Sequence, residues 1–590
     1  MFGMRCNTML LTDFYKACHM NMYDKHIAKM TSYLTPRSSR FPEQDWVMFF
    51  GIQIFIKKYL INDFKENFFD IDWEEIEKQY KLILTKSLLY TEKEYGPTIE
   101  KIKALHELGY LPIEIRALPE GSKVPMSVPC VEISVTDGRF PWVGQAIECM
   151  LSCNIWHPMV SATVAYRYRE LAHEFAKKSS DKADGTMAMC DFSLRGQESM
   201  ESAISSSVAW LSTGLKNSST VPARFLIEEC YPETNTDTLQ VYGLTSTEHS
   251  VMTTDFAING DERETYRRLL TEVYPNTSFA AVSDSYDYWH VLTEILPSLR
   301  PEIEAHKGFI GVRHDSADPV EALCGIPTIT VNLEKELGEN ELKDLFEKKV
   351  SYCTDVWDYE WDTEFKVRFI TSGPKLSVEQ YVAVCKNVPA PSGDEYYDIL
   401  KLEKREPTYE EKGMVETIWD LFGGAINSKG YKVCNPHVKA VYGDSITLER
   451  AKKIFHRLDV KRFAIENISL GVGSFSMEAV EWDNRLYPFT RDTFSIAIKC
   501  TWAELDDGRR IPVFKDPKNF SGKKSQKGLC LVKFNKTSGK YEYTDGHLNP
   551  EELERDPENA FITYFRDGVV ATRLVEDFNR VRERVDAYFK

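Results

Sequence analysis

The sequence predicts an α/β fold, either a parallel barrel or an open parallel sheet, attached to a β-rich unit. Three observations carry that prediction. Short apolar runs alternate with helical patterns through the middle of the chain: MAMCDF, FAAVSDS, FIGVRHD, VKAVYGD and FAIENISLGVG. Strand–helix alternation of this kind implies parallel strands linked by right-handed crossovers. Each run ends in polar residues, at the edge where parallel α/β folds gather their ligand sites. Finally, alternating stretches punctuated by turns lie toward both ends of the chain, outside the α/β pattern.

Taken in order, Leu10 to about Glu107 reads mostly as helix, with helices expected over Asp45–Tyr59 and Asp72–His106 and one extended piece, MTSYL, before Arg37. Residues 111–137 alternate and carry Pro and Gly, which predicts antiparallel strands. Helices are expected over Val143–Asn154 and Ser161–Lys177, and the five strand–helix units follow. Between about Ile326 and Lys412 the chain is acidic yet holds Trp357, Trp361, Phe365, Phe369, Tyr381 and Tyr396, too many aromatics for a disordered linker, so a folded insertion is expected. After Arg491 strands return (FSIAIKC, IPVFKD, LCLVKF, ITYFRDG) and a helix near Val575–Tyr588 closes the chain. The expected organisation is an N-terminal region 1–157 packing with a C-terminal β-rich region 476–590, an α/β catalytic region 158–475, and an insertion over 327–412.

The 590 residues, 43% hydrophobic and 28% charged, can fill two or three cores and exclude a disordered or collagen-like chain. With 73 Lys and Arg against 90 Asp and Glu, the net charge of −17 disfavours nucleic acid and anionic membrane as partners. An anionic substrate would need a pocket that collects Arg and Lys against this field. The cysteines number thirteen, an odd count, and the closest pair, Cys149 and Cys153, falls in an apolar helical stretch. Reduced thiols in a cytoplasmic protein are the simplest expectation. MFGMRCNTMLLTDFYK lacks a secretory apolar core, and WVMFFGIQIFI is too short to span a bilayer.

The strand ends hold the chemistry: Asp191, Phe192 and Arg195; His249; Asp284 and Asp287; Arg313 and Asp315; Gly443 and Asp444; Gly471 and Gly473. Singly, an Asp after a strand is most often a helix N-cap, a Gly pair a tight turn and a lone His structural. GVGSFS lacks the third glycine of a dinucleotide fingerprint, and no Walker A motif occurs. Together, carboxylates, two arginines, a histidine and a glycine loop suit a phosphorylated, hydroxyl-rich substrate with Mg²⁺.

In order and spacing, LLTDFYK from Leu10, GIQ at Gly51, DFSLRG from Asp191, EHS from Glu248, SDSYD from Ser283, RHDSADP from Arg313, KGYKV from Lys429, YGDS from Tyr442, IENISLGVGS from Ile465, TRD from Thr490 and VFKDP from Val513 are similar to the nicotinamide phosphoribosyltransferase family. The likeness spans nearly the whole chain and looks closest to the longer bacteriophage-type members, which carry an insertion after the RPDSGDP-like block; a phage-encoded protein would work in the host cytoplasm. It implies an irregular TIM-like α/β barrel of the type II phosphoribosyltransferase kind, with an added β-domain from both chain ends. The implied reaction joins nicotinamide to 5-phosphoribosyl-1-pyrophosphate, giving nicotinamide mononucleotide and pyrophosphate. Residue by residue, the resemblance implies that Phe192 lies under the pyridine ring and Tyr15 covers it from the second subunit of a homodimer. Asp315, Gly443 and Asp444 match ribose-binding positions, and Gly471, Gly473 and Arg491 match the 5′-phosphate site. Arg195, Arg313, Asp287 and Arg37 match the pyrophosphate and Mg²⁺ region, with Asp287 and Asp315 the metal candidates. His249, beside Glu248, matches the histidine phosphorylated by ATP, and Lys515, Lys523 and Lys524 match basic positions near the phosphates.

Three departures stand out. Where the family has a GTDT-like stretch whose aspartate accepts from the carboxamide, this chain reads NSST, which puts Ser218 or Ser219 there and leaves nicotinamide against nicotinate open. His314 stands where proline is usual, and the stretch Ser474–Phe489 is longer than expected at the 5′ side. That length leaves a larger donor, ADP-ribose pyrophosphate, as an alternative that would yield the dinucleotide directly. A catalytically silent nucleotide-binding relative is the non-enzyme alternative.

Overall fold

A computed structural model describes residues 6–356, 359, 362–374, 376–389, 395–443, 445–483, 485–516, 525–571 and 577–590. Seven parallel strands form the central sheet, in the order Asn217–Ser218, Met189–Asp191, Ile468–Val472, Val438–Tyr442, Ile310–His314, Phe279–Val282 and Thr245–Ser246. The sheet curls until its edges meet: Tyr242 bridges Asn217 in parallel, and three residues later the same segment pairs with Phe279. The sequence left barrel and open sheet as alternatives, and this bridge makes it an irregular barrel. Its strands read as apolar runs because both faces are covered; Phe279–Val282 is buried at every position.

A second, antiparallel seven-stranded sheet interleaves the two chain ends, in the order Arg510–Pro512, Ala497–Leu505, Ile27–Thr35, Val131–Val135, Ile113–Ala117, Ile562–Arg566 and Val569–Val570. Most of the β-rich part expected from both ends is therefore one sheet, while LCLVKF, as Leu529–Asn535, pairs separately with Lys540–His547.

Three helix expectations need correction. Trp46–Phe49 is a strand paired with Ser122–Pro125, and the helix begins only at Ile52. Gly51, at φ +104°, turns the chain between them, and a Cβ there would sit 2.9 Å from Pro158 Cβ. The stretch 72–106 is two helices, the second starting at Glu92 after a Thr91–Glu94 capping box. The two helices expected over 143–177 merge instead into one of 32 residues, Glu148–Ser179, with Pro158 inside it.

The expected insertion is folded. Strands Thr328–Asn332, Glu364–Gly373, Leu376–Pro389 and Glu395–Lys404 form one sheet, and helix Glu339–Ser351 covers it. Its own core includes Phe346 stacked on Phe369 at 3.9 Å. Trp357 and Trp361 lie outside the described residues, and so does the side chain of Tyr396. The sheet docks on the neighbouring helices through ions: Arg368 on Glu416 at 2.8 Å, a carboxylate that the barrel's own Lys461 also holds at 3.0 Å, and Lys366 and Arg405 on Glu411 at 2.8 and 2.7 Å. Among the described residues no helix is long and apolar enough to cross a membrane.

Arg405 and then Lys366 hold the Glu411 carboxyl at about 2, against burial, where its ordinary value is 4.5. A carboxyl depressed by folding stabilises fully above its unfolded value and loses that contribution as pH falls toward the folded one. Glu411→Gln should therefore lower the thermal midpoint by a few degrees at pH 7, and the gap from wild type should close between pH 4.5 and about 2. Melting curves across that range test it, and a gap independent of pH contradicts the ionic docking.

Candidate active site

Four strand ends converge at the carboxyl edge of the barrel. Phe192 follows Met189–Asp191, and its N–H donates to Val472 O at 2.8 Å, which ties it to the neighbouring strand. Gly471 lies under its ring: a Cβ there would come within 2.6 Å of Phe192 Cδ2 and 2.9 Å of Cε2. The Arg313 guanidinium carbon is 5.7 Å from the centroid of the same ring. Arg313 is itself gripped by Asp315 in a two-pronged pair, Nε to Oδ1 at 2.8 Å and Nη2 to Oδ2 at 2.6 Å, while Nη1 donates to Ser246 Oγ at 3.2 Å. Gly443 lets that pair approach the next strand, since a Cβ there would stand 3.0 Å from Arg313 Cζ.

His249 opens the helix His249–Asn259 beside this group and is 53% exposed. Its Nδ1 shares a hydrogen bond with Ser285 Oγ at 3.0 Å, and its Nε2 is 3.9 Å from Asp284 Oδ1. Asp284 Oδ2 accepts from the Asp315 and Ser316 amides, both at 2.9 Å, and from the Ser316 hydroxyl. Burial alone would raise the Asp284 carboxyl, but those hydrogen bonds outweigh it and hold the group below its ordinary value. Its Oδ1 is buried without a hydrogen-bond partner among the described residues. His314 Nδ1 accepts from the Ser316 amide at 3.2 Å, and burial pushes the ring below the usual imidazole value. The 3.5 Å approach of His314 to Asp284 is therefore not an ion pair. His314 packs between Tyr288 and Tyr442 as a core residue.

Asp287 caps the short helix Tyr288–His290, accepting from the His290 amide at 3.0 Å. Arg195 is exposed on the turn Leu194–Gly196 and makes no side-chain bond among the described residues. Ser219 is exposed at the end of the strand beside Phe192. Gly473 follows strand Ile468–Val472 and leads into helix Phe475–Glu478. Beyond that helix, the long stretch noted in the sequence is a hairpin, Ala479–Trp482 on Arg485–Pro488.

A second group lies on the β-rich part. Arg491, 55% exposed, opens a turn after this hairpin, and Arg37 Nε donates to Ser495 O at 3.1 Å. Lys499 lies among Arg37, Arg491 and Lys16; burial and those cations, opposed by Glu148, push its ammonium below the ordinary value. Tyr15, 61% exposed, shares a turn with Lys16, whose ammonium pairs with Glu148 at 2.5 Å. Lys515 is exposed, its amide donating to Ser525 Oγ at 2.9 Å. Among the described residues no hydrogen bond, ion pair or ring contact joins this group to Phe192 and Arg313. Asp444, Lys523 and Lys524 lie outside the described residues.

The sequence reading named Asp284 at a strand end but matched Asp287 to the site, and it missed Lys499. Asp284, rather than Asp287, faces His249; both stand in SDSYD, and only the sheet decides which one points inward. Lys499 belongs to a strand that reads as plain antiparallel sheet, and no motif marks it.

Comparison with known proteins bears on this geometry. Residues 187–547 match the nicotinate phosphoribosyltransferase (NAPRTase) family, and residues 7–115 match the nicotinamide phosphoribosyltransferase N-terminal domain. A nicotinamide phosphoribosyltransferase of Acinetobacter baylyi is 33% identical over 98% of this chain and 97% of its own length. One of Xanthomonas campestris pv. campestris is 26% identical, covering 98% of each. Human nicotinic acid phosphoribosyltransferase superposes with a TM-score of 0.49 and 13% identity, covering 98% of this chain and 93% of that one. The chain belongs to the nicotinamide phosphoribosyltransferase family, within the broader nicotinate phosphoribosyltransferase family whose pattern spans its barrel.

Proposed function

We propose that this protein transfers the phosphoribosyl group of 5-phosphoribosyl-1-pyrophosphate to nicotinamide, releasing pyrophosphate, as a cytoplasmic homodimer. The observation that carries the reading is Phe192 seated on Gly471 beside the Arg313–Asp315 pair, a flat ring next to a fixed guanidinium at the barrel mouth. Displacement at the anomeric carbon builds positive charge on the sugar while a polyanion departs. Stacking on Phe192 holds the weak pyridine nucleophile in line. Arg313, fixed by Asp315, and Arg195, exposed on its turn, offer planar donors to the departing pyrophosphate. Gly471, Gly473 and Arg491 would take the 5′-phosphate, Asp315, Gly443 and Asp444 the ribose, and Arg37, Lys515 and Lys523 would add positive charge. Tyr15 and Phe14, 61% and 58% exposed on one turn, would cover the ring from the second subunit.

Among the described residues no cluster of three or more His, Cys, Asp or Glu side chains could hold a metal ion. Both Asp315 oxygens are taken by Arg313, whereas Asp284 Oδ1 lacks a hydrogen-bond partner among them. Mg²⁺ would therefore arrive with the pyrophosphate, which would supply most of its ligands, with Asp284 the inward carboxylate able to join them, while Asp287, matched to the metal region by the resemblance, caps helix Tyr288–His290; the ion would serve to neutralise charge on the leaving group. His249, exposed and backed by Asp284, is the residue ATP would phosphorylate, adding negative charge beside the same site.

The larger donor has one observation behind it, a cavity of about 810 Å³ between the hairpin, helix Leu448–Val460 and Tyr359 of the insertion. Six carboxylates line it against three cations, a poor setting for a second diphosphate, so phosphoribosyl pyrophosphate is the better donor.

Purified protein with Mg²⁺, offered nicotinamide or nicotinate with either donor, should form the mononucleotide from nicotinamide and phosphoribosyl pyrophosphate. Dinucleotide formed without ATP would move the assignment to the larger donor, and no turnover with any pairing would leave a silent relative. Phe192→Ala should raise the KM for the base about tenfold or more by removing its stacking face, with the KM for the donor little changed. Equal kinetics in that variant would remove Phe192 from the base site.

A further inference from the structure

We infer that Tyr442 and His314 brace the two strand ends that grip the donor's ribose, and that they act as positioning residues for the transfer. The inference rests on the reaction proposed above, in which Asp315 and Gly443 take the sugar. Those two residues follow neighbouring parallel strands, Ile310–His314 and Val438–Tyr442, and the register between the strands ends on the pair His314 and Tyr442. Just past it the Gly443 amide donates to His314 O at 3.2 Å. The turn beyond Asp315 is exposed at Ser316 and Ala317, so its shape has to be held by side chains beneath it.

Tyr442 supplies the first hold. Its ring is buried, and its hydroxyl reaches across to the turn of the next strand, where it shares one proton between Ser316 O at 2.9 Å and Ala317 O at 2.7 Å. Those two carbonyls flank the Cα of Ala317, which lies at φ +71°. An alanine stays in the left-handed region only where its surroundings keep it there. Ala317 stands where the RPDSGDP-like block has glycine, which adopts that conformation freely. The Tyr442 hydroxyl therefore fixes from a neighbouring strand a turn that glycine would form unaided.

His314 supplies the second. Its ring lies nearly parallel to that of Tyr442, with centroids 5.9 Å apart at 14°, and packs against Tyr288 at 4.1 Å. Its Nδ1 accepts from the Ser316 amide at 3.2 Å, the same amide that donates to Asp284 Oδ2 at 2.9 Å. Proline, usual at this position in the family, has no side-chain acceptor and could not make that bond. The turn is thus held at its amides by Asp284 and His314 and at its carbonyls by Tyr442. Asp315 enters that turn while gripping Arg313, so a turn that drifts carries the ribose-binding carboxylate with it. Phe192 is tied to Val472 instead, which leaves the base outside the brace.

The test is the split between the two Michaelis constants, measured with nicotinamide and phosphoribosyl pyrophosphate. Tyr442→Phe keeps the ring and removes the hydroxyl; it should raise the KM for the donor about fivefold to tenfold, the size of one neutral hydrogen bond, and leave the KM for nicotinamide unchanged. Adding Ala317→Gly, which takes φ +71° without strain, should restore most of the donor KM. His314→Leu should shift the donor KM as Tyr442→Phe does, and His314→Asn, whose side-chain oxygen replaces Nδ1 as acceptor, should shift it less. Because the burial of His314 risks the fold, the Tyr442 and Ala317 variants decide the matter. An unchanged donor KM in Tyr442→Phe, an equal rise in both constants, or a double variant no better than the single one overturns this inference and leaves the reaction standing. No product from nicotinamide in the wild type overturns both.

Discussion

The site depends on two places where a side chain is missing. Parallel strands in a barrel carry their neighbours at a fixed spacing, so a side chain that leans over the next strand needs room that only glycine leaves. Gly471 gives that room to the Phe192 ring, and Gly443 gives it to the Arg313–Asp315 pair. The two glycines sit on adjacent strands, Ile468–Val472 and just past Val438–Tyr442, so the ring and the guanidinium share one mouth. Phe192 is half-buried, with its ring against the Gly471 backbone.

Electrostatics follow from the same packing. A chain of net charge −17 repels a pyrophosphate from most of its surface, and the counter-arrangement is local. Arg313 reaches the mouth as half of a pair that is neutral overall, which lowers the cost of burying it. That pairing orients the fork and leaves Nη1, now on Ser246, as the donor most readily turned to an incoming oxygen. Arg37, Arg491, Lys16 and Lys499 add a second group of cations, offset by Glu148 on Lys16 and by Asp492 on Arg491.

How much of this was legible in the sequence depends on whether the signal was local. Runs such as FAAVSDS and VKAVYGD announce buried parallel strands because both faces are apolar, and five of the seven barrel strands were readable that way. The two edge strands, Asn217–Ser218 and Thr245–Ser246, are two residues each, with no apolar run to mark them. Trp46–Phe50 is ambiguous for the opposite reason, since a continuous apolar run fits a buried strand or a buried helix equally. Only the left-handed Gly51 decides it. At the site, Phe192, Arg313 and the glycines were accessible through motif order. The facing of Asp284 and the bond from the Ser219 hydroxyl to the Asp191 carbonyl were not, because each is fixed by a residue on another strand or loop.

The insertion shows why a large addition can leave that geometry intact. It leaves the barrel after helix Pro319–Cys324 and returns at helix Tyr409–Lys412, and those two points touch: the Ile326 amide donates to Glu411 O at 3.1 Å. Gly325 and Gly413 make the approach feasible, at φ +70° and +79°, with no side chain on either backbone at the crossing. Because the ends are held together, closing the loop costs little more than closing a short one, and the cost grows only slowly with length. The inserted sheet folds around its own core and meets the barrel through Arg368, Lys366 and Arg405 on two glutamates instead of a continuous apolar face. An ionic seam of that kind fixes register through directed bonds while leaving the barrel's hydrophobic interior complete without it. The strand ends that hold Arg313 and Gly443 therefore keep their spacing whether or not the insertion contributes anything to catalysis.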